Sequence, residues 1–159
     1  MRLSKLVTAV AAAASLVATA PVGRAAEKDK EKGMATDKAV PAADTAWKPM
    51  NPQAPEGPQY AIVWGEFDKA PVGFLLKVKA GVTFPKHTHT HSYDAVVVQG
   101  EWKHTYGDAA DAEPLPAGSH WHQTGKQVHG DGCASASGEC IVLVSYPRGK
   151  RDFIPAAKK

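Results

Sequence analysis

Short stretches in which hydrophobic and polar residues alternate dominate the C-terminal part of the chain. In residues 74–79, Phe74, Leu76 and Val78 alternate with one leucine and two lysines, and residues 102–106 alternate in the same way. A period of two is typical of a β-strand that is buried on one face. The predicted strands are residues 60–64, 74–79, 82–91, 93–99, 102–106, 119–123, 127–129 and 140–146. Gly, Pro and Asp separate them, and none shows a 3.6-residue period, so we predict a single all-β barrel or sandwich.

The N-terminal part of the chain lacks this alternation. Residues 1–26 combine a basic start, an apolar run and small residues at the end, which is the pattern of a secretory signal peptide. The apolar run is shorter than the roughly 20 residues of a membrane-spanning helix. Residues 27–58 alternate charges and then carry prolines, which predicts a flexible leader. We therefore expect a signal peptide (1–26), a leader (27–58), one folded domain (59–159) and a periplasmic or secreted protein.

Charge gives no reason to expect a polyanionic partner. The chain has 19 Lys+Arg against 16 Asp+Glu. Arg2, Lys5 and Arg24 lie in the predicted signal peptide, so the mature chain is close to neutral. We therefore expect no nucleic-acid partner and no membrane insertion after the signal is cleaved.

The chain has 2 cysteines, Cys133 and Cys140, close together in sequence. If the protein is exported, the oxidising environment outside the cytoplasm favours a disulfide between them. They do not form a Cys-x-x-Cys pair, so we expect a structural bridge rather than a redox or metal site.

Histidine marks the candidate chemistry of the domain. All 7 histidines fall between His87 and His129. His87, His89 and His91 occupy every second position, so in an extended strand their side chains share one face, and Asp94 follows three residues later. Imidazole nitrogens with a carboxylate oxygen suit borderline divalent metals such as Fe, Mn, Ni, Cu and Zn. We therefore predict a site for one divalent transition metal.

The spacing around these residues resembles the first motif of the cupins. That motif is Gly, five residues, His-x-His, three or four residues, Glu, six residues, Gly; here Gly81, His87, His89, Asp94 and Gly100 stand in that order. A second cupin motif runs from a Pro-x-Gly turn to a later histidine, and residues 116–118 and 125–129 resemble it. The resemblance implies a single-domain cupin, a double-stranded β-helix or jelly-roll barrel, similar to small bacterial members of unassigned activity. It implies metal ligation by His87, His89, Asp94 and His129.

The chain departs from the cupin pattern at two points. Asp94 stands where most cupins have Glu, one residue closer to the following glycine, which leaves His91 as a rival third ligand. The second motif is longer than usual, so His120 and His122 compete with His129, which we prefer because it follows a glycine-led turn.

Other residues are candidates for the surroundings of the site. His91 and His104 are expected acid–base groups, and the Tyr93 hydroxyl is expected to position a ligand. Arg151 ends a basic run, residues 148–151, that is typical of a solvated turn. Trp121 is expected to point inward between the solvated His120 and His122. The predicted apolar wall consists of Phe74, Leu76, Val96, Val98, Trp102, Tyr106 and Trp121.

These observations leave three classes of function open, of which the last is a metal-free β-barrel interaction domain. The first is a metal-dependent cupin enzyme with dioxygenase-like or isomerase-like chemistry on a small organic molecule. The resemblance implies a metal with one or two open coordination positions, where substrate or dioxygen binds. The second is a non-catalytic periplasmic module that binds metal or a small ligand. Ser-His-Asp arrangements and phosphate-binding glycine loops are lacking, so hydrolase and kinase functions have no support. The resemblance also allows a homodimer formed through edge strands.

Overall fold

The computed structural model describes residues 38–157, and this part of the chain is built almost entirely from β-strands. One 3-10 helix, Ala42–Asp44, precedes eleven strands. The strands are β1 (Lys48–Pro49), β2 (Gln59–Glu66), β3 (Lys69–Lys79), β4 (Thr83–Thr88), β5 (Tyr93–Gln99), β6 (Glu101–Tyr106), β7 (Leu115–Pro116), β8 (His120–Gln123), β9 (His129–Cys133), β10 (Glu139–Tyr146) and β11 (Ile154–Pro155). Within residues 38–157, no helix has the length and apolar character needed to cross a bilayer.

The strands form two antiparallel sheets. The larger sheet has the order β1-β2-β3-β10-β5-β8 and the smaller one β11-β4-β9-β6-β7. The chain therefore crosses from one sheet to the other several times. For example, β4 pairs with β9 in the smaller sheet, and the next strand, β5, pairs with β10 in the larger sheet. This arrangement confirms the predicted jelly-roll barrel. Seven of the eight strands expected from the sequence are present; the eighth, expected at residues 127–129, begins only at His129 and runs to Cys133, and the three additional strands are two residues long.

The core lies between the two sheets and follows the alternation in the sequence. In β10, Cys140, Val142, Val144 and Tyr146 are buried while the residues between them are partly exposed. Trp102, from the smaller sheet, is 2% exposed and packs into the same cluster. The hydrophobic cluster therefore joins both sheets and forms the wall behind the site.

The inward face of β5 differs from our expectation. Tyr93, Ala95 and Val97 are buried, whereas Val96 and Val98 are 38% and 51% exposed. Five of the seven residues of β5 are apolar, and they lie on both faces of the strand. Alternation alone therefore does not identify the buried face. Val96 and Val98 therefore do not belong to the apolar wall.

Of the other expected wall residues, only Tyr106 is on the outside. It is 53% exposed at the end of β6. Phe74, Leu76, Trp102 and Trp121 do line the interior. Trp121 is buried between the exposed His120 and His122, which confirms the predicted orientation of β8.

Part of the expected leader is integrated into the larger sheet. Lys48 pairs with Tyr60 and Pro49 with Gln59, so β1 adds an edge strand. The Lys77 ammonium group lies 4.2 Å from the centre of the Trp47 ring. Proline is compatible with an edge strand because one side of such a strand needs no backbone partner. The predicted signal peptide and residues 27–37 lie outside the described residues.

The predicted disulfide is confirmed and connects the two sheets. Cys133 ends β9 in the smaller sheet, Cys140 lies in β10 of the larger sheet, and their Cα atoms are 5.5 Å apart. Both residues are almost completely buried, at 1% and 0% exposure.

Candidate metal centre

Three histidines converge at the point where β4 and β9 pair. His87 and His129 are directly opposite each other in the two strands, and His89 follows immediately after the end of β4. One ligand atom from each ring lies within 4.8 Å of the others. His87 is 3% and His129 0% exposed, and the His89 side chain is 11% exposed. The arrangement brings together three of the four ligands that the sequence predicts.

The protonation of these rings is set by hydrogen bonds to backbone carbonyls. Nδ1 of His87 donates to the Pro85 carbonyl (2.8 Å), and Nδ1 of His129 donates to the Gln127 carbonyl (3.1 Å). Nδ1 of His89 donates to the carbonyl of Asp152. Because a carbonyl only accepts, each neutral ring carries its proton on Nδ1 and leaves Nε2 unprotonated, the form in which that nitrogen binds a metal; Nε2 of His129 meanwhile accepts a hydrogen bond from the Tyr93 hydroxyl (3.4 Å).

Burial favours the neutral form of the same three rings. It lowers the pKa of His87 and His89, and it lowers the pKa of His129 to about 4. Nearby Asp131 opposes this shift only in part. The three imidazoles therefore stay neutral at physiological pH, which is the form that binds metal.

Asp131 places a carboxylate beside the histidines and was missed by the sequence analysis. Its Oδ2 lies 3.6 Å from Nε2 of His87 and 3.5 Å from Nε2 of His129. Its Oδ1 accepts hydrogen bonds from Nδ1 of His104 (2.6 Å) and Nε1 of Trp102 (3.1 Å). Burial alone would raise the pKa of this carboxyl, but the His104 hydrogen bond and nearby histidines lower it overall. Asp131 therefore stays charged, with one oxygen held and the other directed at the cluster.

A signal for Asp131 was present in the sequence. His129 and Asp131 stand two positions apart in a strand, the same spacing that identified His87 and His89. The cupin pattern directed attention to a carboxylate near Asp94 instead.

Asp94 is the predicted ligand that the structure does not bring to the cluster. It lies on the outer face of β5, its side chain is 61% exposed, and it accepts a hydrogen bond from Nδ1 of the exposed His122 (2.8 Å). The cause is the inward face of β5 described above, because Tyr93 points inward and its neighbour must therefore point outward.

His91 also lies apart from the cluster. β4 ends at Thr88, so the alternation that would place His91 with the other two rings does not continue. The His91 ring packs against Gly149 and does not line the cavity.

Tyr93 and His104, the other expected catalytic residues, have different surroundings. The Tyr93 hydroxyl lies 3.4 Å from Nε2 of His129 and lines the cavity. Burial raises its pKa well above the usual value, so the hydroxyl remains protonated. His104 instead lies behind Asp131, away from the cavity lining.

His104 lies between a carboxylate and a side-chain amide oxygen. Nδ1 faces the Asp131 carboxylate, and Nε2 lies 3.0 Å from Oε1 of Gln123. The Gln123 amide nitrogen donates to the carbonyls of Thr124 and Gln127, which fixes its oxygen toward His104. His104 therefore links Asp131 to Gln123 behind the cavity wall, and we assign it a positioning role.

A cavity of about 370 Å³ opens beside the cluster, within the size range of small-molecule sites. His87, His89 and Asp131 contribute its polar wall. The aromatic part of the wall consists of Phe74, Phe84, Tyr93, Trp102, Trp121, Tyr146 and Phe153. An apolar molecule with a few polar atoms fits this lining.

Residues 151–153 complete the site and were also missed. Arg151 lines the cavity, the Asp152 carbonyl orients His89, and the Phe153 ring stacks on His87 with centroids 4.2 Å apart. The expectation of a solvated turn is therefore wrong for Arg151, although Arg148 is exposed. The basic run gave no signal that its last member turns inward.

Comparison with known proteins identifies a sequence family. Residues 21–153 match the family described as "Domain of unknown function (DUF4437)". No curated protein matches the chain.

Solved structures show the same fold. An RmlC-like cupin from Ralstonia eutropha JMP134 is 25% identical, with 70% of this chain and 69% of that one covered and a TM-score of 0.53. KdgF from Halomonas sp. is 23% identical, with 71% and 96% covered and a TM-score of 0.52. The polyketide cyclase RemF from Streptomyces resistomycificus is 16% identical, with 78% and 88% covered and a TM-score of 0.59. The likeness establishes the cupin fold and leaves the reaction open.

Proposed function

Since the chain belongs to the DUF4437 family and has the cupin fold, we propose that it is a metal-dependent enzyme acting on a small organic molecule in its apolar cavity. The fold itself does not select a reaction, because cupin-like barrels carry many different sites. The proposal therefore depends on the site geometry.

One observation carries the proposal: three imidazoles have their Nδ1 protons fixed on carbonyls while their remaining nitrogens converge beside the cavity. Histidines that served only to fill the core would not need three unprotonated nitrogens at one point. The adjacent Asp131 carboxylate completes a nitrogen-and-oxygen donor set, which fits one divalent ion of Fe, Mn, Ni, Cu or Zn. A metal bound there would supply Lewis-acid or redox chemistry at the cavity wall.

The residues around the cluster support a catalytic function in two ways: they hold polar groups in fixed positions, and they exclude water from the cavity. The protonated Tyr93 hydroxyl is a hydrogen-bond donor inside the cavity. The hydrogen bond from Nδ1 of His104 keeps one oxygen of the Asp131 carboxylate in place. The aromatic wall keeps bulk water away from a bound molecule, which strengthens the electrostatic effect of these groups. We infer dioxygenase-like or isomerase-like chemistry on a small oxygenated molecule.

Export is part of the proposal. The buried Cys133–Cys140 bridge supports an oxidising compartment, and the pattern in residues 1–26 supports a signal peptide. A protein that folds in the periplasm acquires its metal there.

Metal analysis of protein purified from the periplasm or culture fluid tests the proposal. We expect one transition-metal ion per chain and loss of that ion in His89→Ala. The matched control is His120→Ala, which removes an exposed histidine from the outer face of β8 and should keep the metal. Oxygen uptake and NMR detection of isomerised product, on a panel of phenols and diketones, then test turnover.

The possible outcomes separate the alternatives. Turnover that disappears with the metal supports an enzyme. Metal held tightly without turnover on the panel supports the non-catalytic binding module. Absence of metal from the wild type, with His89→Ala unchanged, overturns the metal site itself.

A further inference from the structure

Arg151 is a positive charge in the cavity wall that the metal site does not use. It lines the same cavity as His87, His89 and Asp131 and is largely withdrawn from solvent. Among residues 38–157, no carboxylate lies within 4.0 Å of its guanidinium group, and its buried Nε has no hydrogen-bond acceptor. A buried donor of this kind is costly unless a ligand completes it.

The carboxylate of Asp152, next to Arg151 in sequence, is hydrogen-bonded to another residue. Asp152 accepts hydrogen bonds from the backbone nitrogen and the hydroxyl of Thr90. It therefore caps the segment after β4 and does not serve as the counterion of Arg151. Burial lowers the pKa of Arg151, and the charges of Tyr146, Asp68 and Asp152, none in direct contact with the guanidinium group, offset this only in part.

The face of the guanidinium group is already fixed. Its carbon lies 4.1 Å from the centre of the Phe67 ring, and Phe67 in turn stacks on Tyr60 with centroids 3.8 Å apart. Stacking on a ring occupies the plane of the group and leaves its N–H edge free. That edge is the part of arginine that binds a carboxylate through two parallel hydrogen bonds.

We propose that the cavity binds a small aromatic carboxylate, whose acid group is held by Arg151 while its ring lies among the aromatic side chains. This proposal rests on the proposed function, because it names the substrate class of the same site. The lining excludes a strongly polar molecule, since seven aromatic side chains surround the space. A carboxylate is favoured over a phosphate because a second negative charge adds a desolvation cost that one arginine does not offset.

Benzoate and benzamide are the probes for this inference, since they share shape and differ in charge. Their binding to purified protein is measured by calorimetry, with quenching of tryptophan fluorescence as a second readout because Trp102 and Trp121 line the cavity. We expect benzoate to bind about tenfold or more tightly than benzamide. Arg151→Gln should remove that preference, and Arg151→Lys should restore part of it because lysine lacks the planar fork.

The matched control is Arg148→Gln, which removes the same charge from an exposed position three residues earlier. We expect it to leave both affinities unchanged. Equal loss in both arginine variants indicates a general charge effect and overturns the inference. Equal binding of benzoate and benzamide to the wild type, or undetectable benzoate binding, also overturns the inference. This comparison uses only the wild-type protein, so it does not depend on whether a variant folds.

The metal content of every sample distinguishes this inference from the proposed function. Metal in the wild type and in Arg151→Gln, with no benzoate preference, overturns the inference alone. A benzoate preference that depends on Arg151 in a chain without metal overturns the metal site alone.

Discussion

The proton position on each clustered histidine depends on a single carbonyl oxygen. For His87 and His129 that oxygen belongs to the residue two positions earlier, so the local strand geometry is sufficient. For His89 it belongs to Asp152, 63 residues away in sequence. Two of the rings are therefore oriented locally, and the third is oriented only when the C-terminal segment has docked.

The identity of the carboxylate ligand is tested by a pair of matched substitutions. Asp131→Asn keeps the shape of the side chain and removes its charge, so we expect metal affinity to fall about 10- to 100-fold. Asp94→Asn removes the same charge from the outer face of β5 and should have no effect. Competition with a chromogenic chelator measures both affinities. A loss in Asp94→Asn with none in Asp131→Asn would contradict the site described above.

The lowered pKa values of the histidines predict how stability of the metal-free protein depends on pH. In the unfolded chain histidine titrates near 6.5, whereas burial lowers the pKa of His129 to about 4 in the folded state. The unfolded state therefore binds more protons as the pH falls below about 6.5, and this destabilises the fold by about 1.4 kcal/mol per pH unit for each such histidine.

Urea denaturation between pH 7.5 and pH 4.5 measures this dependence. The contribution should be absent above about pH 7 and should grow until the pH reaches the folded pKa. His129→Gln, which cannot be protonated, should show a shallower decrease. A stability that does not change between pH 6.5 and pH 4.5 would be inconsistent with buried neutral rings.

At the scale of elements, β5 decides the composition of the site. Its seven residues are apolar enough on both faces that either face would suit a core. The structure buries Tyr93, Ala95 and Val97, and this choice brings the Tyr93 hydroxyl to the cluster and takes Asp94 away from it. In the cupin pattern, three residues after His-x-His and six before Gly identify Tyr93 as the position of the family's Glu. Tyr93 thus occupies the inward position, and the carboxylate beside the histidines comes from β9 instead.

Two isosteric substitutions on adjacent residues test the orientation of β5. Val97→Thr places a hydroxyl in the apolar core, and without a partner it should cost about 1–3 kcal/mol in the free energy of unfolding. Val96→Thr places the same hydroxyl in solvent and should change that energy by less than about 0.5 kcal/mol. Urea denaturation at neutral pH compares them. Equal effects, or a larger loss in Val96→Thr, would reverse the assignment.

At the scale of the whole molecule, the Cys133–Cys140 bridge holds the two sheets at the end of the barrel. It lies on the strand that carries His129 and Asp131, so it restrains β9 against β10. Because the bridge closes a short loop, it lowers the conformational entropy of the unfolded chain only modestly. The bridge therefore contributes to stability rather than to the chemistry of the site.

Removing the bridge should lower the free energy of unfolding by about 2–3 kcal/mol. The double variant Cys133→Ala/Cys140→Ala, measured by urea denaturation, is compared with wild-type protein unfolded in the presence of a reductant. The two losses should agree, because both measure the absence of the same bond. An unchanged stability in the double variant would show that packing alone holds the sheets together.

Local features of the chain were readable from the sequence. Alternation identified β3 and β6 because the geometry of a strand places every second side chain on one face. The same rule identified His87 and His89, and the short spacing of Cys133 and Cys140 identified the disulfide. Each of these inferences needs only neighbours along the chain.

The tertiary structure decided which faces are covered and which distant residues meet. Asp131 rather than Asp94 reaches the histidines because the opposite sheet covers one face of β5, and nothing within that strand specifies which face. Arg151 enters the cavity because the segment after β10 folds back over His89 and Thr90, where Asp152 makes contacts across 63 and 62 residues of sequence. Strand periodicity is a local property, whereas burial is defined only against a partner surface, and that partner is supplied by the fold.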